Sequence, residues 1–182
     1  LVSLGPIVHN PRVVEKLQRM GVTVARELND IRGRAVLIPS HGARPEVWAE
    51  LEAKGVEVVD ATCPFVRKAQ RAAERLADEG FFAVVFGEGG HPEVRGILGW
   101  TRGRGTATLE VVEAVEIGRS RGPLGLLSQT TRPPEAFDEF AAAVKRELAS
   151  LQGEVPCVNT ICPSTRKRYA AARELAKRAD LV

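Results

Sequence analysis

Short apolar runs alternate with longer segments of helical period along this chain, and that alternation limits the folds that the sequence can adopt. The runs consist almost entirely of Val, Leu, Ile, Phe and Ala, as expected of parallel strands that are buried on both faces. They predict an α/β fold with mostly parallel strands, built from βα units. The five predicted strands are residues 35–38, 56–59, 81–86, 124–127 and 155–158.

Proline and glycine mark the ends of the helical segments. Each segment begins at a proline and four are soon followed by a glycine, which is the expected asymmetry of helix ends. The predicted helices are residues 11–20, 45–54, 64–79, 134–149 and 163–179. Residues 100–123 fit the pattern less well, and we expect one short strand, one short helix and two glycine-rich turns there.

The composition of the chain excludes several classes of function. Its 182 residues carry a formal net charge of +3, and acidic residues are interleaved with the basic ones. Aromatic residues make up only 5% of the chain and no nucleic-acid-binding signature is present, so no nucleic-acid partner is expected. The longest apolar run, residues 81–86, is far shorter than the ~20 residues of a membrane-spanning helix, and no secretory leader precedes the first motif. Three cysteines without a CxxC pair fit a reducing compartment, which predicts a cytoplasmic protein.

Polar clusters follow the predicted strands at the point where each strand ends. Ligands of α/β sheets bind beyond the carboxyl ends of strands, where helix N-termini offer free N–H groups. The sequence therefore predicts one site formed by all of these clusters. They are Ser40-His41-Gly42, Ala61-Thr62-Cys63-Pro64, the segment GEGGHPE with His91 and Glu93, Ser128-Gln129-Thr130-Thr131, and Asn159-Thr160-Ile161-Cys162-Pro163.

Two of the cysteines head an internal repeat. Aligning Cys63 with Cys162 places CPFVRKAQRAAERLA over CPSTRKRYAAARELA, and eight of the fifteen positions are identical. Two Ala- and Arg-rich helices could agree by composition, but composition explains the two Cys-Pro starts poorly. A cysteine immediately before a proline at the first helical position lies where the helix N-terminus lowers the pKa of a thiol. Such a thiolate suits a nucleophile or a metal ligand, whereas Cys157, inside a predicted strand, is expected to be a packed core residue.

The repeat also predicts that the chain is part of a longer protein. Extending its spacing upstream places a third such cysteine before Leu1, and three thiolates around a pseudo-threefold axis would make a metal or cluster site. The chain does not begin with Met, and residues 179–182 stand where a further strand is expected.

Six ordered segments resemble the 4-hydroxy-3-methylbut-2-enyl diphosphate reductase family, also called LytB or IspH. They are GPIVHNPRVVE, SHG, VVDATCPFVRK, GEGGHPEVRGILGW, SQTT and NTICPSTRKR. The resemblance implies a trefoil of three α/β lobes around a 4Fe-4S cluster held by one cysteine per lobe, and Cys63 and Cys162 match two of those ligands. The lobes would divide the chain into residues 1–61, 62–158 and 159–182. The family's early GFCxGV motif and later Ser-x-Asn segment are not in this sequence, so the chain alone is expected to be incomplete for activity.

The reaction implied by the resemblance is the last step of the non-mevalonate isoprenoid pathway. Two electrons and two protons remove the allylic hydroxyl of (E)-4-hydroxy-3-methylbut-2-enyl diphosphate, giving isopentenyl and dimethylallyl diphosphate, with ferredoxin or flavodoxin as the kind of external electron donor. By the same resemblance, the diphosphate is bound by His9, His41 and His91. Glu93 matches the proton donor, and Thr130 matches the residue that contacts the substrate hydroxyl and helps to relay the proton.

Other interpretations of the same residues stay open at the level of sequence. Lone histidines are usually structural, Glu93 could be an ordinary glutamate of a first helical turn, and Thr130 could be a helix N-cap. Thr165 matches a second hydroxyl near the cluster only weakly, and Glu88 departs from the family in a turn where it is expected to matter little.

Alternative functions are a non-catalytic diphosphate-binding protein without a cluster, or a zinc module formed by Cys157, Cys162 and two histidines. The zinc module lacks the usual close ligand pairs. A dinucleotide-binding GxGxxG loop would require glycine where Pro92 stands, and no phosphate-binding GxxxxGK[ST] loop is present.

Overall fold

The computed structural model of the chain describes residues 1–179, so three of the four residues of the expected strand at 179–182 lie outside it. The strands are β1 Val2–Leu4, β2 Thr23–Ala25, β3 Ala35–Ile38, β4 Glu57–Asp60, β5 Phe82–Phe86, β6 Gly105–Thr108, β7 Leu124–Ser128 and β8 Cys157–Val158. The α-helices are α1 Pro11–Arg19, α2 Pro45–Ala53, α3 Pro64–Asp78, α4 Pro92–Gly99, α5 Val111–Arg121, α6 Pro134–Gln152 and α7 Pro163–Ala176, and one 3-10 turn spans Leu28–Asp30.

The strands form two four-stranded sheets, and the predicted α/β class with parallel strands is confirmed. The first sheet has the order β2-β1-β3-β4 and the second the order β6-β5-β7-β8. Every strand pair in the described part of the chain is parallel. The two sheets share one strand order, so residues 1–179 contain two successive units of one βα design.

The sequence repeat at the cysteines is also a repeat of structure. Cys63 is the N-cap of α3 with φ −56° and ψ 132°, and Cys162 is the N-cap of α7 with φ −61° and ψ 135°. The backbone N–H of Cys63 donates to the Ser40 carbonyl at 2.9 Å, and that of Cys162 donates to the Thr130 carbonyl at 3.0 Å. In each unit the cysteine is therefore tied to the loop that follows the neighbouring strand.

Most of the hydrophobic core belongs to the second sheet, because helices cover both of its faces. Alternate residues of β5 and β7 point to opposite faces, as the pleat of a strand requires. One face packs against α5 and α6 through Val84, Phe86, Leu124, Leu126, Phe137 and Leu148. The other packs against α3 and α4 through Ala83, Val85, Leu127, Leu76 and Ile97. The core of the first sheet is smaller, with Val36, Ile38, Ala43 and Leu51 as its buried apolar residues.

The expectation that Cys157 is a packed core residue is wrong. β8 is the edge strand of the second sheet in the described residues, and Cys157 is exposed on it. Partial burial of its sulfur nevertheless raises the pKa of the Cys157 thiol. No helix among residues 1–179 is both long enough and apolar enough to cross a membrane.

Candidate functional site

The three histidines meet at the carboxyl ends of strands from both sheets. His9 follows β1, His41 follows β3 and His91 follows β5. The His9 ring centroid lies 6.0 Å from that of His41 and 5.1 Å from that of His91. The structure thus brings together every histidine of the chain, in one cluster that the positions of the strand ends predict.

Two of the clustered histidines, His41 and His91, have lowered pKa values. Burial, reinforced by the charges of His9, His91 and Arg95, lowers the pKa of His41 from 6.5 to about 4. Burial also lowers the pKa of His91, although Glu93 opposes the shift. The His41 Nδ1 atom is buried without a hydrogen-bond partner in the described part of the chain. An anion that entered the cluster would favour protonation of these rings and could accept hydrogen bonds from them.

His91 has a defined tautomer because it caps the helix that follows. It is the N-cap of α4, and its Nδ1 atom accepts a hydrogen bond from the backbone N–H of Glu93 at 3.1 Å. A ring nitrogen that accepts carries no proton, so in the neutral ring the proton is on Nε2. The helix cap therefore leaves Nε2–H as the donor that His91 can offer to a ligand.

Glu93 and Thr130 form a buried pair that joins the loops after β5 and β7. Glu93 Oε1 accepts from the Thr130 backbone N–H at 2.7 Å, and Glu93 Oε2 accepts from Thr130 Oγ1 at 2.9 Å. Each residue is only 4% exposed. Glu93 does lie in the first turn of α4, but an ordinary glutamate there would be solvated. Thr130 is not the N-cap of α6, since that position belongs to Pro133.

The two helix-capping cysteines have the chemistry of iron–sulfur ligands. Both are free and half-buried, and neither side chain caps its own helix by a hydrogen bond. Thiols at helix N-termini suit the thiolate ligands that such clusters require. Thr165 Oγ1 donates at 3.1 Å to the Thr130 carbonyl, which also accepts from the Cys162 N–H.

An asparagine or aspartate turn shapes the loop in front of each of these cysteines. Asp60 Oδ1 accepts from the Thr62 N–H at 2.9 Å, and Asn159 Oδ1 accepts from the Ile161 N–H at 3.2 Å. In both units the acceptor stands three residues before the cysteine. Such turns replace a backbone contact by a side-chain oxygen and fix the local chain direction. The two cysteine loops are therefore built by the same local rule.

The zinc alternative needs Cys157, Cys162 and two histidines to lie together. Among residues 1–179, no group of three or more His, Cys, Asp or Glu side chains is placed to hold a metal ion. Cys157, which that alternative required, lies exposed on an edge strand.

The contacts of Gln129, Arg132 and Glu88 in the site were not predicted: Gln129 was named only as a member of the cluster at residues 128–131, and Glu88 was expected to matter little. Gln129 Oε1 accepts from the Glu88 N–H at 3.2 Å, and Gln129 Nε2 donates to Thr131 Oγ1 at 3.2 Å. Arg132 pairs with Glu88 across the same two loops, with Nη2 and Oε1 2.8 Å apart. Gln129 lies within the SQTT motif, which could have drawn attention to it, whereas nothing local in the sequence indicates that Glu88 and Arg132 meet.

These features together define an α/β protein with a three-histidine cluster and a buried carboxyl–hydroxyl pair at the ends of its parallel strands. The sequence model of the LytB protein family matches residues 1–182, and the chain belongs to that family. It is 47% identical over 180 residues to the 4-hydroxy-3-methylbut-2-enyl diphosphate reductase of Dehalococcoides mccartyi (strain CBDB1), covering 99% of this chain and 63% of the relative. It is 38% identical over 183 residues to the reductase of the same name from Aquifex aeolicus (strain VF5), with 99% and 62% covered. The chain thus spans less than two thirds of the length of these relatives.

Two solved structures share the fold. One, described as (E)-4-hydroxy-3-methyl-but-2-enyl diphosphate reductase, the terminal enzyme of the non-mevalonate pathway, is 38% identical with a TM-score of 0.76 and covers 99% of this chain and 63% of that one. The other is the corresponding reductase from Plasmodium falciparum, 22% identical with a TM-score of 0.90 over 99% of this chain and 57% of that one. At that identity the second structure supports the fold alone.

Proposed function

We propose that this chain supplies the diphosphate-binding histidines, the proton-handling pair and two cluster-ligating cysteines of a 4-hydroxy-3-methylbut-2-enyl diphosphate reductase. The observation that carries the proposal is the buried Glu93–Thr130 pair beside the three-histidine cluster. Membership of the LytB family and the names of the relatives support the choice of reaction. The reaction removes the allylic hydroxyl with two electrons and two protons, giving isopentenyl and dimethylallyl diphosphate.

The histidine cluster binds the diphosphate. Two of the three rings have lowered pKa values in the ligand-free protein, so they offer N–H donors without repelling one another strongly. The phosphoryl charge then favours protonation of His41, which turns a neutral contact into a charge-assisted one of ~1.5–3 kcal/mol. His91 donates through Nε2–H while its Nδ1 keeps the helix cap, so binding and protonation are coupled at His41.

Glu93 and Thr130 handle the proton. The Thr130 hydroxyl donates to Glu93 Oε2 in the ligand-free protein, so its oxygen has lone pairs left for the hydroxyl of a substrate. When Glu93 is protonated at Oε2, this hydrogen bond reverses: Oε2–H donates to Thr130 Oγ1 while the Thr130 hydroxyl gives its own proton to the leaving hydroxyl, which departs as water. Burial of both residues excludes bulk water from this exchange.

Cys63 and Cys162 would hold the 4Fe-4S cluster together with ligands from the remainder of a longer chain. When bound, such a cluster would pass the two electrons on one at a time and would supply a Lewis-acidic iron for the allylic oxygen. Thr165 shares the Thr130 carbonyl with the Cys162 N–H, which keeps the α7 N-terminus close to the proton-handling pair. The electrons come from an external carrier such as ferredoxin or flavodoxin, in the cytoplasm.

The division into lobes is part of the same proposal. The first sheet lies within residues 1–61 and the second within residues 62–158, and α3 joins them. Residues 159–182 would begin a third lobe. A non-catalytic diphosphate-binding protein without a cluster remains the second candidate, and it would share the histidine cluster while binding no iron.

The proposal is tested by Glu93→Gln in a protein of the relatives' length that contains this chain. An amide keeps the shape of the side chain but cannot donate the proton, so steady-state turnover with a chemical reductant should fall by roughly 10²- to 10⁴-fold while substrate still binds. The matched control is Glu113→Gln, because Glu113 also accepts a hydrogen bond from a threonine hydroxyl, that of Thr108, at 2.5 Å and outside the site. Near-normal turnover of the Glu93 variant would overturn the assignment.

A further inference from the structure

Glu88 and Arg132 form an ion pair between the two loops that carry Glu93 and Thr130. Arg132 Nη2 lies 2.8 Å from Glu88 Oε1. Glu88 stands three residues before His91, and Arg132 stands two residues after Thr130. The backbone N–H of Glu88 also donates to the Gln129 side chain of the second loop. The pair is thus built into the rim of the site rather than into a remote surface.

The two partners differ in how far they are withdrawn from solvent. The Arg132 side chain is 20% exposed, whereas that of Glu88 is 62% exposed. Arg132 Nε is buried and has no hydrogen-bond partner among residues 1–179. A buried N–H donor that lacks an acceptor is unfavourable, and a guanidinium has five such donors in a fixed fork. Arg132 therefore has one buried N–H donor, on Nε, that no acceptor among the described residues uses.

The histidine cluster lacks a permanent charge of its own. Burial lowers the pKa of both His41 and His91, so these rings are neutral near pH 7 before a ligand arrives. Arg132 is always protonated, and its charge is one of those that lower the pKa of His91. Arg95 acts in the same way on His41 but is an exposed residue on α4. Arg132 is therefore the partly buried permanent cation beside the cluster.

We propose that Arg132 is a further anion-binding residue of this site, contacting the phosphoryl oxygens of the ligand through its free N–H groups while Glu88 holds the guanidinium in place. The inference rests on the proposed function, because it takes a diphosphate as the ligand. A guanidinium fixed on one edge by a carboxylate presents its remaining donors in a set direction, which suits phosphate oxygens. Glu88, a departure from the family in the sequence, acquires a positioning role through its contact with Arg132.

The test is calorimetric binding of inorganic pyrophosphate to the purified protein, with the thermal midpoint of each variant measured alongside. Arg132→Gln should weaken pyrophosphate affinity by about tenfold or more, as expected for loss of a charge-assisted contact. Arg119→Gln is the matched control, because Arg119 is an exposed arginine on α5 with no ion pair in the described residues. It should change the affinity by less than about twofold, in line with a screened surface charge.

A charge swap separates anion binding from a purely structural tie between the loops. Glu88→Arg combined with Arg132→Glu restores an ion pair, so it should recover the thermal midpoint, yet pyrophosphate binding should stay weak because the partly buried cation at position 132 is lost. Affinity within about twofold of the unmodified protein in Arg132→Gln, or recovery of affinity in the swap, would overturn the proposal. If Arg132→Gln does not fold, the thermal midpoint and pyrophosphate affinity of the swap variant decide the question. Pyrophosphate binding needs neither cluster nor reductant. If Arg132→Gln loses pyrophosphate affinity while the unmodified protein has no reductase activity, the result supports this inference and contradicts only the proposed function.

Discussion

His41 combines a depressed pKa with a position at the centre of the site. Its ring lies beside His9, and its Nδ1 atom is buried without a partner in the described structure. Burial is the main cause of the low pKa, with the nearby cationic groups as the second. The ring is therefore neutral over the physiological range until an anion compensates for the cost of protonating it.

This pKa predicts how stability changes with acid. The folded protein binds the His41 proton only near pH 4, whereas the unfolded chain binds it near pH 6.5, so the unfolded state holds more protons between these values. Stability contributed by the neutral ring is present above pH 6.5 and is lost as the pH falls towards 4. His41→Gln should remove on the order of 1–3 kcal/mol of the acid-dependent loss in the free energy of unfolding, measured by denaturant titration at several pH values. An unchanged pH dependence in the variant would contradict the burial of this ring.

Residues that lie in a sequence motif could be singled out from the sequence. Residues that matter only through a contact with a distant part of the chain could not. Glu93, Thr130, two of the histidines and both helix-capping cysteines lie in clusters whose convergence at strand ends was predicted, whereas β1, the strand before His9, was not predicted. The Glu88–Arg132 pair was not predicted either, because the two residues are 44 positions apart and only the fold brings them together. Cys157 was misread because the sequence of a strand does not reveal that the strand lies at the edge of a sheet.

At the scale of elements, two side chains anchor the loop between β3 and α2. Gln70 Nε2 of α3 and Trp100 Nε1, at the end of α4, both donate to the Ala43 carbonyl, at 3.4 Å and 3.2 Å. Gly42 precedes Ala43 with φ +74°, and a Cβ there would lie 2.5 Å from Gln70 Nε2. These two hydrogen bonds hold the loop, and with it His41, which directly precedes Gly42, against the second unit.

Gly42→Ala should therefore disturb both stability and the site. The left-handed backbone and the clash with Gln70 together should cost about 2–3 kcal/mol in the free energy of unfolding, and pyrophosphate affinity should fall as the His41 loop moves. The matched control is Gly80→Ala, since Gly80 has φ +89° with nothing within 4 Å of the added carbon. The control should cost only about 1 kcal/mol by denaturant titration. Equal costs for the two variants would show that the contact with Gln70 places no constraint on the loop.

Helices and strands with a clear sequence pattern were predicted, whereas those with a short or interrupted pattern were missed. β3 has the predicted bounds, and the five predicted helices begin at the predicted prolines. β1 and β2 were missed because each has only three residues, with a serine or a threonine among them. α4 was missed because Gly96 and Gly99 weaken its helical pattern, although Gly96 allows close approach to the His41 carbonyl. Residues 100–123 contain the strand and helix expected there, β6 and α5.

Across residues 1–179 the molecule repeats one unit, and the repetition explains where the candidate site residues lie. Both sheets have the same strand order, and each unit ends in a turn, a cysteine N-cap and a proline-headed helix. Repetition of a βα unit places equivalent strand ends, and hence equivalent cysteines, at equivalent positions. The sequence predicted this from the alignment of Cys63 with Cys162, but the shared strand order required the structure.

The most direct test of the account is the iron and acid-labile sulfide content of anaerobically reconstituted protein of the relatives' length, compared across three cysteine variants. Cys63→Ser and Cys162→Ser should each lose most of the bound iron and sulfide, because each removes a thiolate ligand of the cluster. Cys157→Ser is the matched control and should retain both, since Cys157 lies exposed on an edge strand and its thiol has a raised pKa. Full iron and sulfide in the Cys63 or Cys162 variant, or their loss in the Cys157 variant alone, would contradict the account.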